Sequence, residues 1–405
     1  MFKRETVNRI ALGGFGVLLS VVLVEVALHI YFPAPTYGNT LVPDAALGWV
    51  HTPNASAVFT HVPDVPRTPI RINSHGFRDV EHTFTKPPNT FRILVLGDSF
   101  VEAYQTPLEK TFPRLLEGTV ACLPPGTKVE VINAGIGGYS PAQYYLTYET
   151  IGYKYQADLV LAEFLGANDV WTDSFKLDPW FARRPFFQIN DGELIRVPHP
   201  SLNKPSGQDA SKTPGLFETA KGFFRDNSRL YFFVGNFLRE RVPAVAKPLK
   251  ALGILSPDSD FLHPDFGVYS TRYTPEWEEA WEITKRLYLD LDKAVRSRGA
   301  RLAVFSIPVP AQVHPDAWKT LEQSFPIISA EKWDSDKPDT IIAPFLQERH
   351  IPVLPLLPAF REEARRSGDY LYYPHDGHWD SAGHRLATME IARFLCSTGL
   401  ASQVK

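Results

Sequence analysis

Five short apolar runs, at 92–97, 128–133, 158–165, 301–307 and 351–357, alternate with helical patterns from residue 91 onward. Each run is Leu-rich or β-branched and lacks polar alternation, the character of strands buried on both faces. Helical stretches fall near 107–119, 141–152, 275–298 and 338–349, and a last helix runs from about Ser381 to Thr398, with Asp380 as its N-cap and Gly399 as its stop. This alternation predicts an α/β fold built on a doubly wound, parallel, five-stranded sheet with right-handed crossovers. In such a sheet chemistry gathers where the strands end.

The remaining chain departs from that alternation. Lys3, Arg4 and Arg9 precede a mostly apolar run from Ile10 to Phe32, interrupted by Glu25 and His29. A run of that length is expected to form a transmembrane helix, with residues 1–32 as an uncleaved, single-pass anchor in the cytoplasmic membrane. The positive residues before it place the rest of the chain on the periplasmic or extracellular side. A cleaved signal peptide is the competing reading, disfavoured because no small-x-small pattern closes the run. Residues 33–90 are Pro-rich and read as a stalk and ordered preface, in which 69–78 suits an edge strand or hairpin arm that breaks near Gly76. Residues 91–399 form the main domain, with an insertion at 171–275 after the third strand. The insertion holds Trp171, Phe175, Trp180, Phe181, Phe186 and Phe187, a polar loop at 201–213 and a weaker helix from Phe217 to Arg241. Its aromatic residues suit either a lid that stacks on sugar rings or a small core of its own. The net charge of −3 gives no basic footprint for nucleic acid.

The first strand runs directly into Gly97-Asp98-Ser99, so Ser99 stands where a nucleophile would be displayed. Taken alone, the same tripeptide is an ordinary turn with an N-cap. Acyl transfer also needs a base, an orienting acid and oxyanion donors. Tyr373-Pro-His-Asp-Gly-His-Trp-Asp380 supplies the first two: Asp376 can hold one nitrogen of His378 and leave the other facing Ser99. The second strand ends at Asn133-Ala-Gly-Ile-Gly-Gly-Tyr139, where Gly135 lets a backbone N–H approach a ligand, and the third ends at Gly166-Ala-Asn-Asp169, where the Asn168 amide is a second donor. A metal held by His375, Asp376, His378 and His384 is the rival reading of the C-terminal cluster, and it leaves the serine turn without a role. Cys122 and Cys396 lack zinc-cage spacing. They fall near the far ends of the first and last helices of the sheet, so a disulfide between them is one expectation; two small buried apolar residues are the other.

Together, Gly97-Asp98-Ser99, Gly135, Gly166-Ala-Asn168-Asp169 and Asp376-Gly-His378 resemble the Ser, Gly, Asn and His blocks of the SGNH (GDSL-type) hydrolase superfamily. The likeness covers 91–399 apart from the insertion, and Leu47-Gly-Trp49 with Asn73-Ser-His-Gly-Phe-Arg78 resembles the preface of membrane-anchored bacterial members. The resemblance implies a flavodoxin-like three-layer α/β/α sandwich and no metal or organic cofactor. It also implies Ser99 as nucleophile, Asp376 and His378 as its triad partners, and an oxyanion hole of the Ser99 N–H, the Gly135 N–H and Asn168. Many family esterases space acid and base as Asp-x-x-His, whereas Asp376-x-His378 is similar to periplasmic polysaccharide O-acetyltransferases, such as those acting on alginate. The expected function is therefore a serine esterase that removes acyl groups, acetyl in the first instance, from a cell-envelope or extracellular carbohydrate. Two alternatives stand beside it: an O-acetyltransferase with the same triad, which would need a multi-span partner as acyl donor, and a non-catalytic polysaccharide-binding or assembly subunit.

Overall fold

The structure is a computed structural model that describes residues 2–31, 40–59, 64–178, 184–197, 264–324 and 332–401, with isolated positions at 228, 230, 234, 245 and 249. The expected sheet is present. Its strands are β5 (Thr90–Leu96), β6 (Lys128–Asn133), β7 (Leu159–Phe164), β10 (Arg301–Ser306) and β11 (Val353–Pro355), in the order β11-β10-β7-β5-β6. Every pairing among them is parallel. This is the flavodoxin-like order, with the chain reversing direction of growth between β6 and β7, beside the ends of β5 and β7. All seven residues of β5 and all six of β7 are buried. Leu94, Leu96, Val160 and Ala162 join the core on one face of the sheet, and Ile93, Val95, Leu159 and Leu161 join that on the other. The alternation of these sets explains the unbroken apolar runs: each strand lies under helices on both sides.

Helix Pro275–Ser297 covers the first face together with α4 (Pro141–Thr150), and helix Ser381–Ser397 lies against α3 (Phe112–Leu116) on the second. Asp380 caps the last helix as expected, its side chain accepting the N–H groups of Ala382 and Gly383. Near its far end, Cys396 forms a disulfide with Cys122, with Cα atoms 5.6 Å apart.

Four short strands precede the sheet as two antiparallel hairpins: β1 (Leu41–Asp44) with β2 (Gly48–His51), and β3 (Ser56–Phe59) with β4 (Thr68–Arg71). The hairpin arm expected near residue 69 is β4. Residues 36–203 and 262–405 form one compact unit, so this preface folds with the sheet. A third hairpin, β8 (Phe186–Asn190) with β9 (Glu193–Val197), opens the insertion. Phe186 and Phe187 are buried there, and Phe187 packs with Ala142, Ile283 and Leu287. These rings build core, which replaces the sugar-stacking reading for both. Trp180, Phe181, the loop at 201–213 and most of the helix expected at 217–241 lie outside the described residues.

The N-terminal segment is helical over Phe2–Tyr31, forming α1. Its expected role as a membrane span is not supported, because among the described residues no helix is long and apolar enough to cross a membrane. Glu25, which interrupts the apolar run, accepts hydrogen bonds from the Ser228 hydroxyl at 2.8 Å and the Leu230 N–H at 3.0 Å. That side chain is thereby engaged by protein.

Candidate active site

Four strand-end segments converge at one rim. β5 ends at Leu96, and Ser99 opens the four-residue helix α2 (Ser99–Glu102), capped by the Asp98 side chain accepting the Phe100 N–H. The base arrives on a tight turn: the N–H groups of Asp376 and Gly377 both donate to the Tyr373 carbonyl, and the Tyr373 N–H donates to the His378 carbonyl. Gly377, between acid and base, has φ +86, a conformation that L side chains rarely adopt. That kink brings Asp376 and His378 side by side with a single residue between them. His378 Nε2 lies 2.8 Å from Ser99 Oγ, and its Nδ1 lies 2.6 Å from Asp376 Oδ1. The imidazole also packs on the Phe100 ring, with centroids 4.6 Å apart.

Asp376 is held further by the His378 N–H to Oδ1 at 3.2 Å and by Gln105 Nε2 to Oδ2 at 3.3 Å. Burial acts to raise this carboxyl, but the hydrogen bonds from His378 and Gln105 and the imidazole charge outweigh it, leaving the group below its ordinary value. Asp376 is therefore charged at neutral pH and fixes Nδ1 as the protonated nitrogen, so that Nε2 faces the serine as an acceptor. Gln105 carries no motif signal and was not among the expected site residues.

Of the three positions expected to receive an oxyanion, Ser99 and Asn168 line the cleft and Gly135 does not. The Ser99 N–H has no hydrogen-bond partner among the described residues. Asn168 lines the cleft and sends one amide hydrogen to Asp98 Oδ2 at 2.8 Å, with a longer contact to the Tyr139 carbonyl at 3.4 Å. The Asp98 bond aims the amide, and the hydrogen in the weaker contact is the one available to a ligand. Gly135, the expected donor, is buried beneath Val101, and its N–H is taken by Asn133 Oδ1 at 3.0 Å. Gly138 lines the cleft instead, and its φ of +76 turns the chain there. Its N–H has no partner among the described residues.

The loop carrying Gly138 is braced from several directions. Glu102 accepts the Gly137 N–H at 2.8 Å and binds His51 through its other oxygen. Trp49 Nε1 donates to the Gly137 carbonyl at 3.1 Å, and Arg184 donates to the Gly138 carbonyl at 2.6 Å. From the preface, Arg78 donates to the carbonyls of Glu102, Ala103 and Thr106 and thereby closes the end of α2. The preface and the start of the insertion thus act as buttresses of the nucleophile and glycine loops.

The cleft over Ser99 has a volume of about 760 Å³. Its lining includes the apolar side chains of Leu165, Phe266, Tyr269, Val309, Ala311 and Leu321 together with the polar His375 and Asp376. The metal reading loses a ligand, because His384 is buried against Phe112 and Trp379 with Nδ1 facing the Phe112 N–H. Burial, with the nearby Arg78 and His378 charges, lowers its imidazole to about 3 and keeps it neutral.

No protein-family model matches the chain. A stretch of 78 residues, 19% of this chain, is 42% identical to an arylesterase of Vibrio mimicus, and the match spans 38% of that protein's length. Among solved structures, an acetylxylan esterase of Geobacillus stearothermophilus is similar at 13% identity and a TM-score of 0.37, covering 75% of this chain and 93% of its own. A two-domain esterase active on acetylated mannans is similar at 12% identity and a TM-score of 0.37, over 78% of this chain and 51% of its own. These likenesses are coarse, and the chemistry rests on the geometry of the site itself.

Proposed function

We propose that the protein is a serine ester hydrolase of the SGNH type, acting on acyl esters of a cell-envelope or extracellular carbohydrate. The observation that carries this reading is the continuous chain Ser99 Oγ–His378 Nε2 at 2.8 Å and His378 Nδ1–Asp376 Oδ1 at 2.6 Å. Ser99 Oγ attacks the ester carbonyl carbon as His378 Nε2 takes its proton. The carbonyl oxygen gains the negative charge and is received by the N–H groups of Ser99 and Gly138 and the Asn168 amide. As the C–O bond breaks, His378 returns the proton to the departing alkoxide. Water then repeats the sequence on the acyl-serine, and the acid is released. Acetylated sugars as the substrate class are supported by the activities named for the structural neighbours. A setting outside the cytoplasm is supported by the Cys122–Cys396 disulfide.

One observation favours acetyl transfer as a second reading, the single residue between Asp376 and His378. The two readings share the acyl-enzyme and differ only in whether water or a sugar hydroxyl accepts the acyl group. Incubation with an aryl acetate and an oligosaccharide, followed by mass measurement of the sugar, separates them, because added acetyl mass means transfer. For the shared chemistry, Ser99→Ala is expected to abolish release of the aryl alcohol and labelling by a fluorophosphonate while the protein stays folded. Retained turnover in that variant would refute the assignment.

A further inference from the structure

Beneath the nucleophile turn lies an acid that the reaction scheme leaves unused. Glu163 is fully buried on β7, and its Oε2 accepts the Asp98 N–H at 3.0 Å. Its Oε1 is sealed from solvent without a hydrogen-bond partner. The contact is close enough to specify its neighbour: a Cβ on Gly97 would fall 2.2 Å from Oε2. On its other side Asp98 accepts the Phe100 N–H at 2.9 Å and Asn168 Nδ2 at 2.8 Å. One short path therefore runs from Glu163 through Asp98 to both the start of α2 and the amide of Asn168.

We propose that Glu163 is a positioning residue that, as a neutral acid, holds the Asp98 turn and through it sets the Ser99 N–H and the Asn168 amide around the oxyanion. This role rests on the ester-hydrolase reading above. The surroundings demand neutrality. The groups facing it are the carboxyls of Asp98 and Asp169, the latter itself pushed up by burial and the Asp98 charge; the Tyr144 hydroxyl donates to Asp169, and the Tyr288 hydroxyl donates to the Glu163 main-chain carbonyl with a longer contact to Asp169, so neither serves the Glu163 carboxyl. An ionised Glu163 would add a negative charge to a buried acidic cluster and leave Oε1 unsolvated. Burial, the Asp98 charge, a hydrogen bond shared with the Asp98 side chain and the Asp169 charge all act to raise its carboxyl well above the ordinary range. A neutral carboxyl accepts the Asp98 N–H without setting a second negative charge against the Asp98 carboxylate, which an ionised one would do.

The test compares Glu163→Gln, which keeps one donor and one acceptor, with Glu163→Leu, which keeps only the bulk. In the Gln variant kcat is expected to stay within about fivefold of wild type. In the Leu variant kcat falls about 100-fold, the scale of a misplaced reacting group, with KM changed by less than about threefold. Leu turnover within twofold of wild type, or a Gln variant as impaired as Leu, would overturn the proposal. Infrared difference spectra of wild type against Glu163→Gln at neutral pH give a readout independent of turnover. Loss of one protonated-carboxyl band is expected, and its absence would also overturn the proposal. If wild type cleaves no ester, the hydrolase reading fails, while the infrared result still decides the state of Glu163.

Discussion

Replacing Asp376 with Asn tests the triad through the tautomer of His378. The substitution keeps the size of the side chain and removes its charge. With the Asn oxygen turned to Nδ1–H, its NH2 meets the Gln105 NH2, which now donates to Oδ2 across 3.3 Å. With the NH2 turned to Nδ1, that nitrogen becomes the acceptor and Nε2 carries the proton, so it cannot take one from Ser99. Both poses fail, and the second disables the base. A general base contributes about 10² to 10⁴ in rate, so Asp376→Asn is expected to lower kcat/KM about 10³-fold, or about 4 kcal/mol of activation free energy. The structure also supplies a repair. Gln105 Nε2 lies 3.1 Å from His378 Nδ1 as well as near Asp376, so Gln105→Glu places a carboxylate oxygen beside the same nitrogen. The double variant restores the charge count of the site and gives the Asn NH2 an acceptor. It should recover about ten- to a hundredfold over Asp376→Asn alone, a part of the general-base contribution. The assay is initial-rate hydrolysis of an aryl acetate, with fluorophosphonate labelling as a count of competent serines. A double variant no faster than the single one, or an Asp376→Asn protein retaining a tenth of wild-type activity, would refute this account.

Two further outcomes follow from the same geometry. Asn168→Ala removes an oxyanion donor and should lower kcat by about 10²- to 10³-fold; because Asp98 Oδ2 also loses its partner, thermal unfolding should fall to a lower temperature. His384 binds no proton in the folded state until about pH 3, whereas the unfolded chain binds one near pH 6.5, so folding loses stability as pH drops through that interval. Relative to wild type, His384→Leu should therefore gain about 2 kcal/mol in urea unfolding between pH 7 and pH 5. The difference between the two proteins is the quantity to read, because buried Asp173, raised to about 7 by desolvation, titrates in the opposite sense. An unchanged difference across that interval would show that His384 is not held neutral.

The parts of the site legible in the sequence were those fixed by local chemistry. Ser99 after an apolar strand, Asn168 at the end of the third strand and Asp376-Gly-His378 before a capped helix each declare themselves within a few residues. Gly135 and Gly138 were not separable that way, since three glycines within four positions look alike until Val101 covers one and the cleft exposes another. Gln105 and Glu163 left no local signal. The former reaches Asp376 across 271 positions, and the latter reads as one polar residue in a buried strand. The sheet was legible because both faces are covered, which removes polar alternation. The helices Pro310–Val313 and Pro315–Ser324, which supply part of the apolar lining, were hidden by prolines that open both of them.

The Cys122–Cys396 crosslink closes a covalent ring of nearly the whole α/β domain, with the insertion inside it and Ser99 just outside. Severing the polypeptide anywhere within that ring cannot part the piece bearing the nucleophile from the piece bearing the base. Outside a reducing environment, a protease that nicks the insertion would produce a two-chain enzyme rather than two fragments. The link thus gives the catalytic pair a tether that does not depend on an intact backbone between them.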